Sequence, residues 1–305
     1  GTSNENTPTS TSSLGIGRTA VAISSGYIHT CAILDDGSVS CWGYGGYGQL
    51  GNGGTSDVTT PTSTSSLGIG RTAVAISSGS YHTCAILDDG SVSCWGNGEY
   101  GQLGNGGTSD ANTPTSTSSL GIGRTAVAIS SGTSHTCAIL DDGSVSCWGR
   151  GTFGQLGHGG TSNKNTPTST SSLGIGRTAV AISSGNVHTC AILDDGSVSC
   201  WGFNNQGQLG NGVTSNENTP TSTSSLGIGR TAALSERDFN NDGTLNVFES
   251  TAPSLVTCSL GQYGFYMCVD APLGKYVPSS GSRYATDCLA GTFQASTGQS
   301  SCDDA

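Results

Sequence analysis

An all-β chain is predicted: β-propeller-type blades in four repeats, followed by a small loop-rich disulfide module. Three observations carry that expectation. A 53-residue unit recurs at 19–71, 72–124, 125–177 and 178–230, with only 11 positions differing among the copies, and a period near 50 belongs to propellers and solenoids. Within each unit, short apolar runs alternate with Gly-containing turns, and helical periodicity is nowhere present. Finally, eight of the 12 cysteines recur as pairs at one spacing inside the units.

The elements follow in order within the first unit. Ala20-Val21-Ala22-Ile23 reads as a first strand, ending at Ser24-Ser25-Gly26. Thr30-Cys31-Ala32-Ile33-Leu34 and Val39-Ser40-Cys41-Trp42-Gly43 read as a hairpin around Asp35-Asp36-Gly37-Ser38, because the glycine of an Asp-Gly turn accepts positive φ without steric cost. Thr60-Pro61-Thr62-Ser63 reads as a fourth strand, and a proline within a strand marks a sheet edge. Four short strands make one blade.

The runs AISSGxxHTCAIL, DDGSVSCWG and GQLGNG resemble the regulator-of-chromosome-condensation repeat family across all four units. The resemblance implies a β-propeller, usually of seven blades. Four complete units are present here, and Gly1 to Arg18 nearly duplicates Val213 to Arg230. The expected reading is therefore part of a larger array, ahead of a compact four-blade ring or closure with another chain. The resemblance also raises guanine-nucleotide exchange and inhibition of secreted enzymes; the cysteines oppose the first, and nothing in the sequence selects the second.

Composition excludes several function classes. Net charge is −11 and only 10% of residues are charged, against roughly a quarter in ordinary domains. No cluster of Lys and Arg exists to neutralise phosphates, so no nucleic-acid partner is expected. No apolar run approaches the roughly 18 residues of a membrane span. The chain shows neither an initiator Met nor a signal peptide, which reads as a processed chain or a fragment. Each unit has one histidine at the same place (His29, His82, His135, His188). A metal ring is conceivable, but a structural role is expected, with the imidazole bonded to backbone in its own blade. Ser, His and Asp recur fourfold as framework, whereas catalytic sites are asymmetric, so no enzyme is expected.

The paired cysteines are Cys31 with Cys41, Cys84 with Cys94, Cys137 with Cys147, and Cys190 with Cys200. A three-residue turn centred on Asp36 places Cys31 directly opposite Cys41. Cross-strand Cβ atoms lie about 4.5–5.5 Å apart, closer at non-hydrogen-bonded pairs, near the 3.5–4.5 Å a disulfide needs. Four intrablade disulfides are expected, and with them an extracellular or cell-surface location.

The 11 variable positions are 27–28, 44–47, 52, 54 and 57–59 of the first unit and their equivalents. In an up-and-down blade these loops emerge on one face, while the Asp-Asp-Gly-Ser turns and the loops around Leu67-Gly68-Ile69-Gly70 form an invariant opposite face. Apart from the framework Trp, every Tyr, Phe and Trp of the units sits at a varying position: Tyr27, Tyr44, Tyr47, Tyr81, Tyr100, Phe153 and Phe203. Around them lie Glu99, Arg150, Lys164 and Glu217. Rigid aromatic anchors with adaptable polar neighbours characterise recognition surfaces. The expected function is non-enzymatic recognition or adhesion, with an extracellular protein or glycan bound on this face. The alternative is a structural subunit that self-associates into a filament or coat through its blades.

The repeat departs after Thr231-Ala232-Ala233. Asp238, Asn240, Asp242, Thr244, Asn246 and Glu249 then follow the spacing of the twelve-residue loop D-x-N-x-D-G-x5-E, in which alternating oxygens wrap a hard cation and Gly243 permits the turn. This segment resembles EF-hands and related extracellular calcium loops, so calcium is the expected cofactor. Pro253 leaves no room for a full exiting helix. Cys258, Cys268, Cys288 and Cys302 follow in a stretch whose pieces PLGKYV, CLAGTF and TGQSSC resemble the ephrin-receptor-type cysteine-rich repeat, a small extracellular disulfide module. Four cysteines leave three connectivities open. The expected organisation is repeats over 1–230, a junction with the calcium loop over 231–257, and a cysteine-rich module over 258–305.

Overall fold

The computed structural model describes residues 9–224 with Thr7 and Leu226, and beyond them six two-residue strands. The first blade comprises β1 (Ala20–Ser25), β2 (His29–Leu34), β3 (Val39–Gly43) and β4 (Val58–Ser63), antiparallel in that order. The second has β5 (Ala73–Ser78), β6 (His82–Leu87), β7 (Val92–Gly96) and β8 (Ala111–Ser116). The third has β9 (Ala126–Ser131), β10 (His135–Leu140), β11 (Val145–Gly149) and β12 (Lys164–Ser169). The fourth has β13 (Ala179–Ser184), β14 (His188–Leu193), β15 (Val198–Gly202) and β16 (Glu217–Ser222). The opening strands β1, β5, β9 and β13 lie side by side, each beside the next. The first and last strands are longer than the apolar runs alone suggest, because backbone pairing continues through Ser24 and Ser25 and begins already at Val58.

The hairpin register follows from its turn. Leu34 and Gly37 close it with Leu34 N–H to Ser38 carbonyl and Gly37 N–H to Leu34 carbonyl bonds, each 2.8 Å, and Gly37 has φ +76°, a conformation that suits glycine. Cys31 then faces Cys41 with Cα atoms 4.1 Å apart, and the disulfide is formed. The other three blades repeat this bridge at Cys84–Cys94, Cys137–Cys147 and Cys190–Cys200. Between β3 and β4 the register slips at Cys41/Gly43. Pro61 sits in the stretch that this irregularity leaves unpaired, so its missing N–H breaks no ladder bond.

The hydrophobic core lies between blades. Alternation along β2 and β3 sends Cys31, Ile33, Val39 and Cys41 to one side, where with Leu50 they meet Ala73, Ile76, Ala85, Leu87 and Trp95 of the next blade. Identical sets join the second blade to the third and the third to the fourth. The sheets of the second and third blades are thus buried on both faces, which explains apolar side chains on both sides of their central strands. On the face carrying the hairpin turns, Arg71 bridges Asp88 and Asp89 at 3.3 and 2.8 Å, and Arg18, Arg124 and Arg177 do the same in their blades. Asp36 is held below the ordinary carboxylate range by the hydroxyl and N–H of Ser38, with Arg18 adding a smaller share.

Beyond Leu245 the chain forms a second unit, Asn246–Ala305. It contains three short antiparallel pairs: Gln262–Tyr263 with Val269–Asp270, Lys275–Tyr276 with Thr286–Asp287, and Thr292–Phe293 with Asp303–Asp304. The calcium-loop residues Asp238, Asn240, Asp242, Thr244, Asn246 and Glu249, and Cys258, Cys268, Cys288 and Cys302, lie outside the described residues.

Candidate recognition face

The variable loops stand on a buried polar relay that links neighbouring blades. His29 Nε2 lies 2.8 Å from Thr83 Oγ1 of the next blade, and that hydroxyl donates to the Gln49 carbonyl at 3.0 Å. His82, Thr136 and Gln102 repeat the arrangement, as do His135, Thr189 and Gln155. The carbonyls of Gln102 and Gln155 also accept the indole N–H of Trp148 and Trp201, each at 2.9 Å. A carbonyl can only accept, so the threonine proton is committed to it. The imidazole must therefore donate from Nε2, which leaves Nδ1 bare. Nδ1 of His29, His82 and His135 is buried, with no partner among the described residues. Burial accordingly lowers these histidines, to about 4 for His29 and about 3 for His82 and His135. They are neutral structural groups, as the sequence suggested, but the expected partner is corrected. The imidazole reaches a threonine side chain of the adjacent blade rather than backbone in its own.

The same glutamine shapes the face above. Its side-chain Oε1 accepts from the backbone N–H two residues earlier: Gln49 from Tyr47, Gln102 from Tyr100 and Gln155 from Phe153, each at 2.9 Å. A second backbone bond pins the two variable loops of each blade together, from Tyr44 N–H to the Ile28 carbonyl at 2.9 Å and from Arg150 N–H to the Ser134 carbonyl at 2.8 Å. Aromatic residues at positions 27–28, 44 and 47 are thereby gathered by framework bonds, not by contacts of their own.

What they form is an arc of rings. Tyr81 meets Tyr27, Tyr44 and Tyr47 edge-on, with centroids 6.1, 6.4 and 5.2 Å away. Further along, the Arg150 guanidinium lies 5.1 Å from the Tyr100 ring and 5.6 Å from Phe153, and Phe153 meets Phe203 at 5.0 Å. Tyr27 is 71% exposed and Tyr47 37%. The other five rings are half-buried, as is Arg150, and Glu99 is exposed beside Tyr100. Next to the arc, an open trough of about 410 Å³ is lined in each blade by the Ser-Gly pair that ends the first strand and by the residue after it, Tyr27 in the first blade. Aromatic edges, a stacked guanidinium and a hydroxyl-lined hollow make this a surface for contact.

The chain matches the family model described as the RCC1-like domain over residues 1–235. It belongs to the RCC1-like domain family. Among its relatives, the ultraviolet-B receptor UVR8 of Arabidopsis thaliana is 36% identical over 211 residues, covering 69% of this chain and 47% of UVR8. The human E3 ubiquitin-protein ligase HERC2 is 34% identical over 196 residues, covering 64% of this chain but 4% of HERC2. Among solved structures, human WBSCR16 superposes with a TM-score of 0.61 at 24% identity, covering 68% of this chain and 54% of that one. Yeast RCC1 (Prp20), solved with Kap60, gives 0.58 at 21% identity, covering 68% and 50%. The chain thus spans about half the length of UVR8 and of these structures.

Within this RCC1-like domain, two variable positions serve the framework. Position 57 is Asp or Asn in every unit and accepts the backbone N–H of position 45, from Asp57 to Gly45 at 3.0 Å through Asn216 to Asn204 at 2.8 Å. Asp-to-Asn exchange keeps the accepting oxygen, so this variation is chemically silent. Position 59 joins blades: the Asn112 and Asn165 carbonyls accept from Gly53 and Gly106 of the preceding blade at 2.9 and 2.8 Å. Lys164 and Glu217 begin the outer strands β12 and β16 and take no part in the ring–ring and cation–ring contacts described above. The sequence signal that finds these framework roles is the restricted choice at positions 57 and 59, where only Asp/Asn and Thr/Asn occur.

Proposed function

We propose that the RCC1-like domain is a non-enzymatic recognition or adhesion module of a secreted or cell-surface protein, and that it binds a protein or glycan through the aromatic arc. The observation that carries this reading is the gathering of seven Tyr and Phe side chains and Arg150 on one face. Aromatic and Arg side chains dominate interface energetics because they bury large area at little entropic cost. The four intrablade disulfides support an oxidising compartment, since a reducing cytosol keeps such thiols free. The test begins with a glycan and ectodomain array probed with the purified chain. Hits are re-measured with a Tyr47→Ala, Tyr100→Ala, Phe153→Ala triple variant whose disulfides and circular dichroism are intact. Loss of binding by at least tenfold is expected; unchanged affinity discards the arc as the site.

Calcium belongs to the same proposal. Asp238, Asn240, Asp242, Asn246 and Glu249 offer side-chain oxygens and Thr244 a carbonyl, a donor set that suits a hard, oxygen-seeking ion. The cation would stiffen the segment that follows the blades, as a cysteine-rich module over 258–305 would extend it. Calorimetry on EDTA-treated chain should register calcium binding that a Glu249→Gln variant weakens; no heat with native chain refutes it.

A further inference from the structure

We propose that the ligand of the aromatic arc is a glycan carrying a single sugar carboxylate, and that Arg150, with Lys164 beside it, reads that charge. This rests on the arc being the binding face and goes further, to the chemistry of what it binds. The ground is a local reversal of sign. At the variable positions the first blade carries Asp57, the second Glu99 and Asp110, and the fourth Glu217, with no Lys or Arg among them. The third blade carries Arg150 and Lys164 there and no acid, in a chain of net charge −11. Elsewhere in the blades positive charge is neutralised within the framework, where Arg18, Arg71, Arg124 and Arg177 each bridge two aspartates. Among the described residues neither Arg150 nor Lys164 forms an ion pair, although Glu99 stands next to Tyr100. The third blade also has Asn163 where the first two have Asp57 and Asp110. The oxygen that the Gly151 N–H needs is kept, at 3.0 Å, and the negative charge is not.

The geometry prepares this charge for a flat anion. The Arg150 guanidinium carbon lies 5.1 Å from the Tyr100 ring centre and 5.6 Å from that of Phe153, so two rings hold it by cation–π attraction. Its Nε–H donates to Thr152 Oγ1 at 3.3 Å, which leaves the N–H groups of both terminal nitrogens for a ligand. Two of these in parallel match the two oxygens of one carboxylate. Lys164 belongs to the same place, because its strand partner is Gly149, the residue before Arg150. The lysine charge is also felt at His158, whose imidazole is lowered first by burial and then by Lys164. Beside the guanidinium the aromatic rings offer flat apolar area to the C–H face of a sugar ring whose carboxylate the fork holds. A sugar ring is rigid, so its carboxylate meets the fork without the cost of ordering a flexible acidic side chain. The limit of one charge comes from the other blades: Asp57, Glu99, Asp110 and Glu217 disfavour a ligand that is anionic along its length. A single acid on an otherwise neutral glycan satisfies both conditions.

The test is an array of oligosaccharides in matched pairs, each with one uronic or sialic acid and its methyl ester, beside neutral glycans, heparin fragments and acidic peptides. The full chain is probed first, and the tightest pair is then titrated by calorimetry. Three variants borrow the residue that another blade has at the same position, so each side chain is one the fold already accommodates: Arg150→Asn as at Asn97, Lys164→Ala as at Ala111, and Asn163→Asp as at Asp57. The acid is expected to bind at least about tenfold tighter than its ester, and Arg150→Asn to lose about tenfold on the acid and nothing on the ester. Lys164→Ala and Asn163→Asp should each weaken the acid about threefold. Equal binding of acid and ester overturns the inference, as does native affinity in Arg150→Asn. So does a heparin fragment or acidic peptide that binds more tightly than every single-acid sugar, or an array with no sugar bound. In these cases the arc itself still stands if the Tyr47→Ala, Tyr100→Ala, Phe153→Ala variant loses the ligand that does bind. A triple variant that keeps native affinity refutes the arc, so the two failures are distinguishable.

Discussion

Acid should unfold this protein well before its carboxylates are protonated, and the magnitude follows from the buried histidines. His82 and His135 are 0% exposed and His29 3%, and desolvation lowers them from 6.5 to about 3, 3 and 4 respectively. Each folded-state value lies below the unfolded one. Between the two, the unfolded chain therefore holds more protons, and stability falls as pH falls. At pH 5 an unfolded imidazole with pKa 6.5 gains about 2 kcal/mol from protonation, at about 1.36 kcal/mol per pH unit. Three such groups lose the fold about 6 kcal/mol relative to pH 7.5, a large share of a typical 5–15 kcal/mol total. The lowered Asp36, Asp89, Asp142 and Asp195 act in the same direction but add little in this window, because their contribution is lost only as pH falls through the carboxylate range. The assay is guanidinium unfolding with disulfides intact at steps from pH 7.5 to 5, following the buried tryptophans. A fall of the expected size should shrink by about a third in a His82→Gln variant, which keeps a donor toward Thr136 but has no proton to take up. Stability that stays flat, or rises, between pH 7.5 and 5 refutes the assigned tautomer and burial.

Three other outcomes are expected. Replacing Cys84 and Cys94 by alanine opens a loop of sequence separation 10, which should cost about 3 kcal/mol by chain entropy; an unchanged denaturation midpoint would show that the bridge constrains nothing. Gly96→Ala should be far worse than Gly123→Ala. Both glycines have positive φ, but a Cβ at Gly96 would lie 2.5 Å from the Tyr81 carbonyl, while at Gly123 nothing lies within 4 Å. The second substitution should cost about 1 kcal/mol and the first several, and equal midpoints contradict that crowding. Gln102→Ala should free the Tyr100 amide, measured by hydrogen exchange, yet leave the pH slope unchanged, because only the backbone carbonyl of Gln102 serves the histidine relay. A protected Tyr100 amide in that variant means something else holds the loop.

The strands and the disulfide register were legible because their determinants are local. Apolar runs, an Asp-Gly turn and symmetric cysteine spacing about Asp36 all act within about a dozen residues. The relay was not legible, and the reason is the repetition itself. His29 pairs with Thr83, 54 positions away, but Thr30 of its own unit is an identical residue in the identical place. A perfect period cannot distinguish a bond within a unit from one to the next unit, and only geometry breaks the tie. On the recognition face the failure is of the opposite kind. Positions 57 and 59 vary and so resemble the binding positions, but Asp and Asn share the accepting oxygen that Gly45 and Asn204 need.

Separating the framework from the variable surface bears directly on why the aromatics are there. The blade interiors use Trp, Leu, Ile, Val, Ala and Cys and contain no Tyr or Phe. The loop that carries Tyr47, Tyr100 and Phe153 keeps its backbone bond when Gln206 takes that place, at 3.0 Å to Gln208 in place of 2.9 Å to Gln49. Likewise the backbone bond at position 44 forms whether the residue is Tyr, Asn, Arg or Phe. Folding therefore makes no demand for aromatic side chains at these positions. Exposed rings left at sites of free choice carry a solvation cost, and random drift in a sequence dominated by Gly, Ser and Thr would scatter them over both faces. Their confinement to one arc, with Arg150 seated between two rings, follows if that face is selected for contact with a partner.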